Sequence, residues 1–299
     1  MGHHDDDDDS TPSTDLAAGA VKCLREISGR GMGGADKIAL LSRLDEYRRM
    51  TMPIGGAGID LDVVDGTHID VVIETAELVG SVGVELLDLW DARLSAGASD
   101  LYDPNSPLPS LLRIGSEAFL RCLSYDDIDV SGAVVPLASR LTSTMRREDE
   151  LLRSLSSTPS SSSSPPSFPL AFRSSDLLRP MLSIAYRRMR YPADFAFDPE
   201  DDEEAEEGTY RESLRKLYRD VVRARPDDAL RFLVEALSDL SAPLGGAPAE
   251  ELEAALRLVY HHCEGVRPTP GMRTLLGLGR KPGRAWGGGG GTGASSPMP

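Results

Sequence analysis

Aromatic side chains supply only 5% of the 299 residues, and Leu, Ala and Val carry the apolar content in their place. Strands of a β-sandwich need more aromatic and β-branched residues, so this deficit points to helices packed through aliphatic side chains. Cysteine is nearly absent: Cys23, Cys122 and Cys263 lie far apart inside apolar helical patterns. That spacing excludes a disulfide framework and predicts buried thiols in a reducing compartment. No apolar run approaches the roughly 18 to 20 residues that span a bilayer, and no signal peptide opens the chain. A soluble protein with no membrane partner is expected.

Cations are scarce too. Lys and Arg total 32 against 48 Asp and Glu, a formal net charge of −16. A phosphate backbone repels such a body unless cations gather on one face, so any RNA contact must be local, and DNA is not expected as a partner. Much of the acid sits in residues 5–9 and 198–207; without those thirteen carboxylates the remainder stands at −3.

Catalytic constellations are equally thin. No Ser-His-Asp, Cys-His or metal-ligand spacing stands out, which argues for a binding protein with no catalytic residue, cofactor or metal. His261, His262 and Cys263 are adjacent, and on a helix their side chains point about 100° apart, whereas zinc wants about four converging ligands. His3 and His4 beside Asp5 to Asp9 read as solvated acid, not as a preformed cage. Residues 29–34, Gly-Arg-Gly-Met-Gly-Gly, follow no strand and lack the Gly-Lys-Ser/Thr of a phosphate loop, so they read as an inter-helix turn. Gly277-Leu278-Gly279 near Lys281 is weaker still. Asp126, Asp127 and Asp129 stand where the next helix wants caps and dipole-compensating carboxylates.

What the chain does have is helical periodicity. Residues 15–27 carry Leu16, Ala20, Cys23, Leu24 and Ile27 on one stripe, with Thr14 placed to cap, and residues 35–48 repeat the pattern. A stripe over 65–94 follows, with Gly80 and Gly83 allowing close packing or a bend. After a break at 103–109 come 111–123 and 129–145, joined by the acidic turn 124–127. Helices over 174–190, 209–225, 227–242 and 248–264 complete the set. The pattern predicts an all-α fold of antiparallel pairs: an acidic disordered segment at 1–14, pairs over 15–153, a Ser/Pro-rich flexible insertion at 154–170, pairs over 171–266 with an acidic loop at 198–207, and a disordered Gly/Pro-rich tail at 267–299. Weak self-similarity near a period of about 40 fits HEAT-type repeats in an open superhelix better than a closed bundle.

Charge geometry marks the candidate binding surface. Arg187, Arg188 and Arg190 end one helix, and Arg211, Arg215, Arg219 and Arg223 recur at i+4 on another, opposite Leu214, Leu217, Val221 and Val222. The row either grips phosphates or is a solvated face balanced by neighbouring Asp and Glu. The acid between the two helices either shields those cations until a partner arrives or meets a basic protein directly. RNA contact through the row would weaken with salt by roughly −0.7 to −0.9 in slope per phosphate neutralised.

The order of these pieces resembles the middle HEAT repeats of the tRNA export receptors in the karyopherin-β (importin-β-like) family. The likeness is carried by Ala20-Val21-Lys22-Cys23-Leu24-Arg25-Glu26-Ile27 with Gly31-Met32 and Asp36-Lys37, by Leu120-Arg121-Cys122-Leu123-Ser124-Tyr125-Asp126-Asp127-Ile128-Asp129-Val130-Ser131, and by Leu256-Arg257-Leu258-Val259-Tyr260. Its strongest part runs from Met189 through Tyr191, Phe195, Phe197 and the acidic cluster to Tyr210-Arg211 and Leu214-Arg215-Lys216-Leu217. The resemblance spans about residues 15–266. It implies a curved superhelix binding tRNA together with Ran in its GTP form, passing nuclear pore proteins and shuttling between nucleus and cytoplasm. It also implies a fragment that lacks the family's N-terminal Ran-binding repeats and C-terminal arc. Phosphate contact on this reading falls to Arg187, Arg188, Arg190, Arg211, Arg215 and Arg219. A HEAT scaffold that binds only proteins, and an exportin with a different cargo, stay open beside it.

Overall fold

Proline marks several helix starts in the computed structural model, which describes residues 12–29, 32–43, 69–97, 106–156, 174–191, 195, 202–240 and 248–266. Helix α1 (Pro12–Gly29) opens on a proline, whose fixed φ and missing N–H suit a first turn. Thr14 is therefore inside the helix and not its cap. α2 (Gly34–Arg43) and α3 (Ile69–Ser95) follow, and α4 (Pro107–Ser124) starts within the expected break because Pro107 stands at its N-terminus after Ser106.

The single helix expected over 129–145 is two. α5 (Ile128–Ala133) ends at Val134, and α6 (Val135–Ser156) begins with Pro136 one residue in, whose ring excludes the continuing i→i−4 bond. Asp127 caps α5, accepting from the backbone N–H of Asp129 at 2.8 Å and Val130 at 3.2 Å. α7 (Ser174–Arg188), α8 (Asp202–Ala224), α9 (Pro226–Leu240) and α10 (Ala249–Gly265) complete the described helices. Much of the expected acidic loop is helix: residues 202–207 form the start of α8, where carboxylates stabilise the positive end of the helix dipole. Residues 1–11 and 267–299, and 157–173 of the Ser/Pro-rich stretch, lie outside the described residues.

Apart from the short α5, which touches α3, α4, α6 and α8, successive helices alternate between two layers. In one, α1 packs on α3, α3 on α6, α6 on α8 and α8 on α10; in the other, α2 packs on α4, α4 on α7 and α7 on α9. Contacts of α3 with α4, α7 with α8, α8 with α9 and α9 with α10 tie the layers together. The architecture is all-helical, with no strand among the described residues. The core lies between the layers, where Leu86, Phe119, Leu123, Met145, Leu178, Met181, Leu182 and Tyr218 are fully buried. Each large aliphatic or aromatic side chain there contributes about 1.5 to 3 kcal/mol. Leu214, Leu217, Val221 and Val222 of α8 face this core, as their spacing predicts.

α1 departs from its pattern. Leu16 and Ile27 are 75% and 52% exposed and Cys23 is exposed; Val21 and Ser28 pack instead, and Arg25 pairs with Glu74 at 3.2 Å and with Glu77 on α3. With a single neighbour in its layer, α1 buries one narrow face. Cys263 is exposed as well, while Cys122 is buried and burial pushes its thiol up to about 12.

Close helix packing accounts for the two glycines of α3. A Cβ at Gly80 would sit 2.7 Å from the Ala133 carbonyl oxygen, and one at Gly83 would sit 2.5 Å from Leu137 Cδ2. Gly80→Ala pushes α3 against unyielding backbone and is expected to lower unfolding free energy by about 1 to 3 kcal/mol in urea denaturation. Gly208→Ala in α8, where a Cβ meets nothing within 4 Å, is expected to raise it by about 0.5 to 1 kcal/mol.

Candidate anion-binding site

The C-terminal end of α7, the first half of α8 and α10 enclose Tyr191. The α7 chain closes with Met189 N–H donating to the carbonyls of Ala185 (3.0 Å) and Tyr186 (3.2 Å). That turn carries Tyr191 onto α8, where its ring stacks near Phe195 at 4.4 Å between centroids. Arg211 lies over both rings, 4.3 Å from Tyr191 and 5.1 Å from Phe195, and Arg257 of α10 lies 5.2 Å from Tyr191. Arg215 donates to the Tyr191 hydroxyl at 3.1 Å. Spacing on α8 shows the arginines; the aromatic platform needed the fold to bring residues 191 and 195 against them.

The cationic row is graded and paired. Side-chain exposure rises from 5% at Arg211 through 12% at Arg215 and 25% at Arg219 to 48% at Arg223, so the row turns from the protein interior to its surface along α8. Arg211 pairs with Glu207, Arg215 with Glu212 at 3.1 Å, Arg219 with Glu212 at 3.0 Å and Glu264 at 3.4 Å, and Arg223 with Asp220 at 2.9 Å. Every arginine of the row has a carboxylate partner, and only its far end is open to solvent. Glu207 belongs to the acidic run, so part of that acid serves as an i,i+4 partner inside one helix.

The α7 arginines diverge. Arg188 pairs with Asp126 at 3.2 Å, and Arg190 pairs with Glu251 at 2.5 Å while lying 5.0 Å from the Tyr186 ring. Arg187 is exposed and lines an open groove of about 570 Å³ between α7 and α9, with Arg179, Arg190, Tyr186, Phe232 and Val234. Arg211 and Arg215 thus meet at Tyr191, whereas Arg188 turns to Asp126, Arg190 shares the α7–α9 groove with Arg187, and Arg219 lies between Glu212 and Glu264. Burial holds the Tyr210 phenol above its ordinary range, opposed by Ser131, Arg188 and Arg211.

Two other sets of polar residues are placed. His262 is buried with Nδ1 3.3 Å from the Tyr218 hydroxyl, and burial lowers its pKa; His261 Nδ1 lies 3.0 Å from Glu264. Among the described residues no three His, Cys, Asp or Glu side chains converge as metal ligands. His3, His4, Asp5 to Asp9 and Gly277 to Gly279 lie outside the described residues.

A second polar cluster, between α3, α6 and α8, was not singled out by motif. Trp90 Nε1–H donates to Glu148 Oε1 at 2.6 Å, Arg140 bridges Asp88 and Asp91 at 2.7 Å each, and Arg225 pairs with Asp149 at 2.8 Å. Its sequence signal is Glu148 itself, which continues the buried stripe of Leu141 and Met145 at helical spacing. No helix among the described residues is long and apolar enough to cross a membrane. No protein-family model matches this chain, and no curated protein matches it.

Proposed function

We propose that the chain is a segment of a nuclear export receptor resembling exportin-T, a HEAT-type superhelix that binds tRNA together with Ran in its GTP form. On this reading it passes nuclear pore proteins and shuttles between nucleus and cytoplasm by binding, with no catalytic residue or cofactor. The observation that supports it is the alternation of the helices, the short α5 set aside, between two layers, each helix resting on the next of its own layer. Helix-pair repeats stack in this way, and the stacking generates the long continuous surface that a macromolecular cargo needs. Arg187, exposed on α7, and Arg219, one quarter exposed on α8, then contact phosphate directly. Arg211, held on Tyr191 and Phe195, shapes the surface beneath them.

Titrating the chain with tRNA, with and without GTP-loaded Ran, across a salt series tests the proposal. Binding that each partner strengthens, and that falls linearly in log K against log salt, is the expected result. Silence in both arms refutes it for this segment. A second reading, a scaffold for protein partners only, is favoured by the carboxylate partners of every arginine from 211 to 223, which leave little free positive charge.

A further inference from the structure

We propose that the outward face of α10 pairs two copies of this chain, antiparallel about a two-fold axis through Leu256. Helix α10 is apolar on two opposite sides. One side carries Ala254, Ala255, Leu258 and His262 into the array. On the other, Leu252, Leu256 and Tyr260 recur at i+4 and i+8 and are 49%, 59% and 60% exposed. Side chains at that spacing lie one above another on a single face, so the three form one continuous row. The solvent side of α6 shows the contrast, with Arg146 and Glu150 paired at the same i,i+4 spacing and more than half exposed. A helix that is apolar all round is one that is covered all round. Among the described residues the row on α10 is open, because the helix packs on α8 and α9 through its other side.

Symmetry and charge select a second copy as the occupant. The row is even about Leu256, so an antiparallel two-fold sets Leu256 against its own image and Leu252 against the partner's Tyr260, a smaller side chain against a larger one. The face is also balanced in charge. Of the carboxylates bordering the row, Glu253 pairs with Arg257, and Glu264 pairs with Arg219 at 3.4 Å. The net charge of −16 is therefore not concentrated where the copies meet, and a strongly basic or acidic partner finds no excess of opposite sign there. Two leucines and a tyrosine, each half to three-fifths exposed, leave on the order of 300 Å² of apolar surface. At the roughly 65% apolar content of homodimer contacts, the two copies bury roughly 1,000 Å² in all, the lower end of specific interfaces. Pairing in the micromolar range is expected of so small a contact. The inference rests on exposure and spacing, and not on the export reading.

The test is sedimentation velocity of the full chain from about 1 to about 200 μM, with a reductant so that the exposed Cys23 and Cys263 cannot link chains. With concentration the mass is expected to rise from the 32.2 kDa of one chain to twice that value. Leu256→Glu brings two carboxylates together at the axis and is expected to weaken pairing about a hundredfold. Because Leu256 is exposed in the single chain, this variant keeps its fold, which its circular dichroism checks. Leu16→Glu, on the exposed side of α1 at the other end of the layer, leaves the association unchanged. With Cys23 and Cys263 replaced by serine, Leu256→Cys is expected to form a disulfide-linked pair under mild oxidation faster than Leu16→Cys, although Leu16 is the more exposed. A wild-type chain that stays single throughout, equal association in wild type and Leu256→Glu, or equal cross-linking at the two positions overturns the pairing, whatever else then covers the row.

Discussion

Arg211→Ala is expected to cost about 3 kcal/mol of folding stability in urea denaturation, whereas Arg223→Ala, on the same face of the same helix, is expected to cost less than about 0.5 kcal/mol. The difference follows from the 5% and 48% exposure of the two side chains. Removing Arg211 takes away a desolvated cation from two aromatic rings, worth about 2 kcal/mol. It also takes away a charge-assisted hydrogen bond to Glu207, worth about 1.5 to 3 kcal/mol and not additive with the stack. Arg211→Lys keeps the charge but loses the planar fork that lies on Tyr191, so about half of the loss is expected to remain. Arg215→Ala and Arg219→Ala fall between the extremes, in that order. Equal costs along the row would mean that all four arginines are solvated, contrary to the placement described.

Glu148→Gln is expected to stabilise the protein by up to about 3 kcal/mol at pH 8 and by little at pH 4. Glu148 is 4% exposed, and burial raises its carboxyl to about 7 against the Trp90 hydrogen bond and the Arg225 charge, with Asp91 and Asp149 adding to the rise. Below about pH 4.5 the group is protonated in both states and contributes no difference. Between 4.5 and about 7 the folded protein holds the extra proton, so this group's contribution to stability falls as pH rises. Above 7 both states are ionised and the full cost of a buried charge stands. Glutamine keeps an oxygen for Trp90 Nε1–H and removes that charge. The check is the difference between wild-type and variant unfolding free energies from pH 4 to 8, which should open through that window. A difference that stays constant with pH would show that Glu148 does not titrate there.

The helices were legible because their buried residues recur at 3.6 spacing, as Leu214, Leu217 and Val221 do on α8. Boundaries were less so. Pro136 splits 128–156 into two helices although its apolar stripe runs on, and the carboxylates of 202–207 read as loop by composition while their charge suits a helix start. Exposure at the edge of the array was hidden as well: Leu16 and Ile27 carry a valid stripe, but how much of a stripe is covered depends on how many neighbours the helix has. For the candidate site, spacing gave the arginines and not their environment. The four arginines at i+4 from 211 look alike in sequence, yet the chain returning through Tyr191 and Phe195 buries one end of the row and leaves the other in solvent. Glu148 was passed over because a lone acid within a charged helix carries no motif; its burial depends on Trp90 from α3, 58 residues away.

The proposed superhelix requires that the helices follow one another in two open layers without closing on themselves. Spin labels at Lys22 on α1 and, in turn, at Ala92 on α3, Ser143 on α6, Lys216 on α8 and Leu256 on α10 test it, all at exposed positions and with Cys23 and Cys263 replaced by serine. Pulsed dipolar distances from α1 are predicted to lengthen at each step along that series. An α1 to α10 distance as short as that from α1 to α3 would mean a closed bundle and would contradict the account.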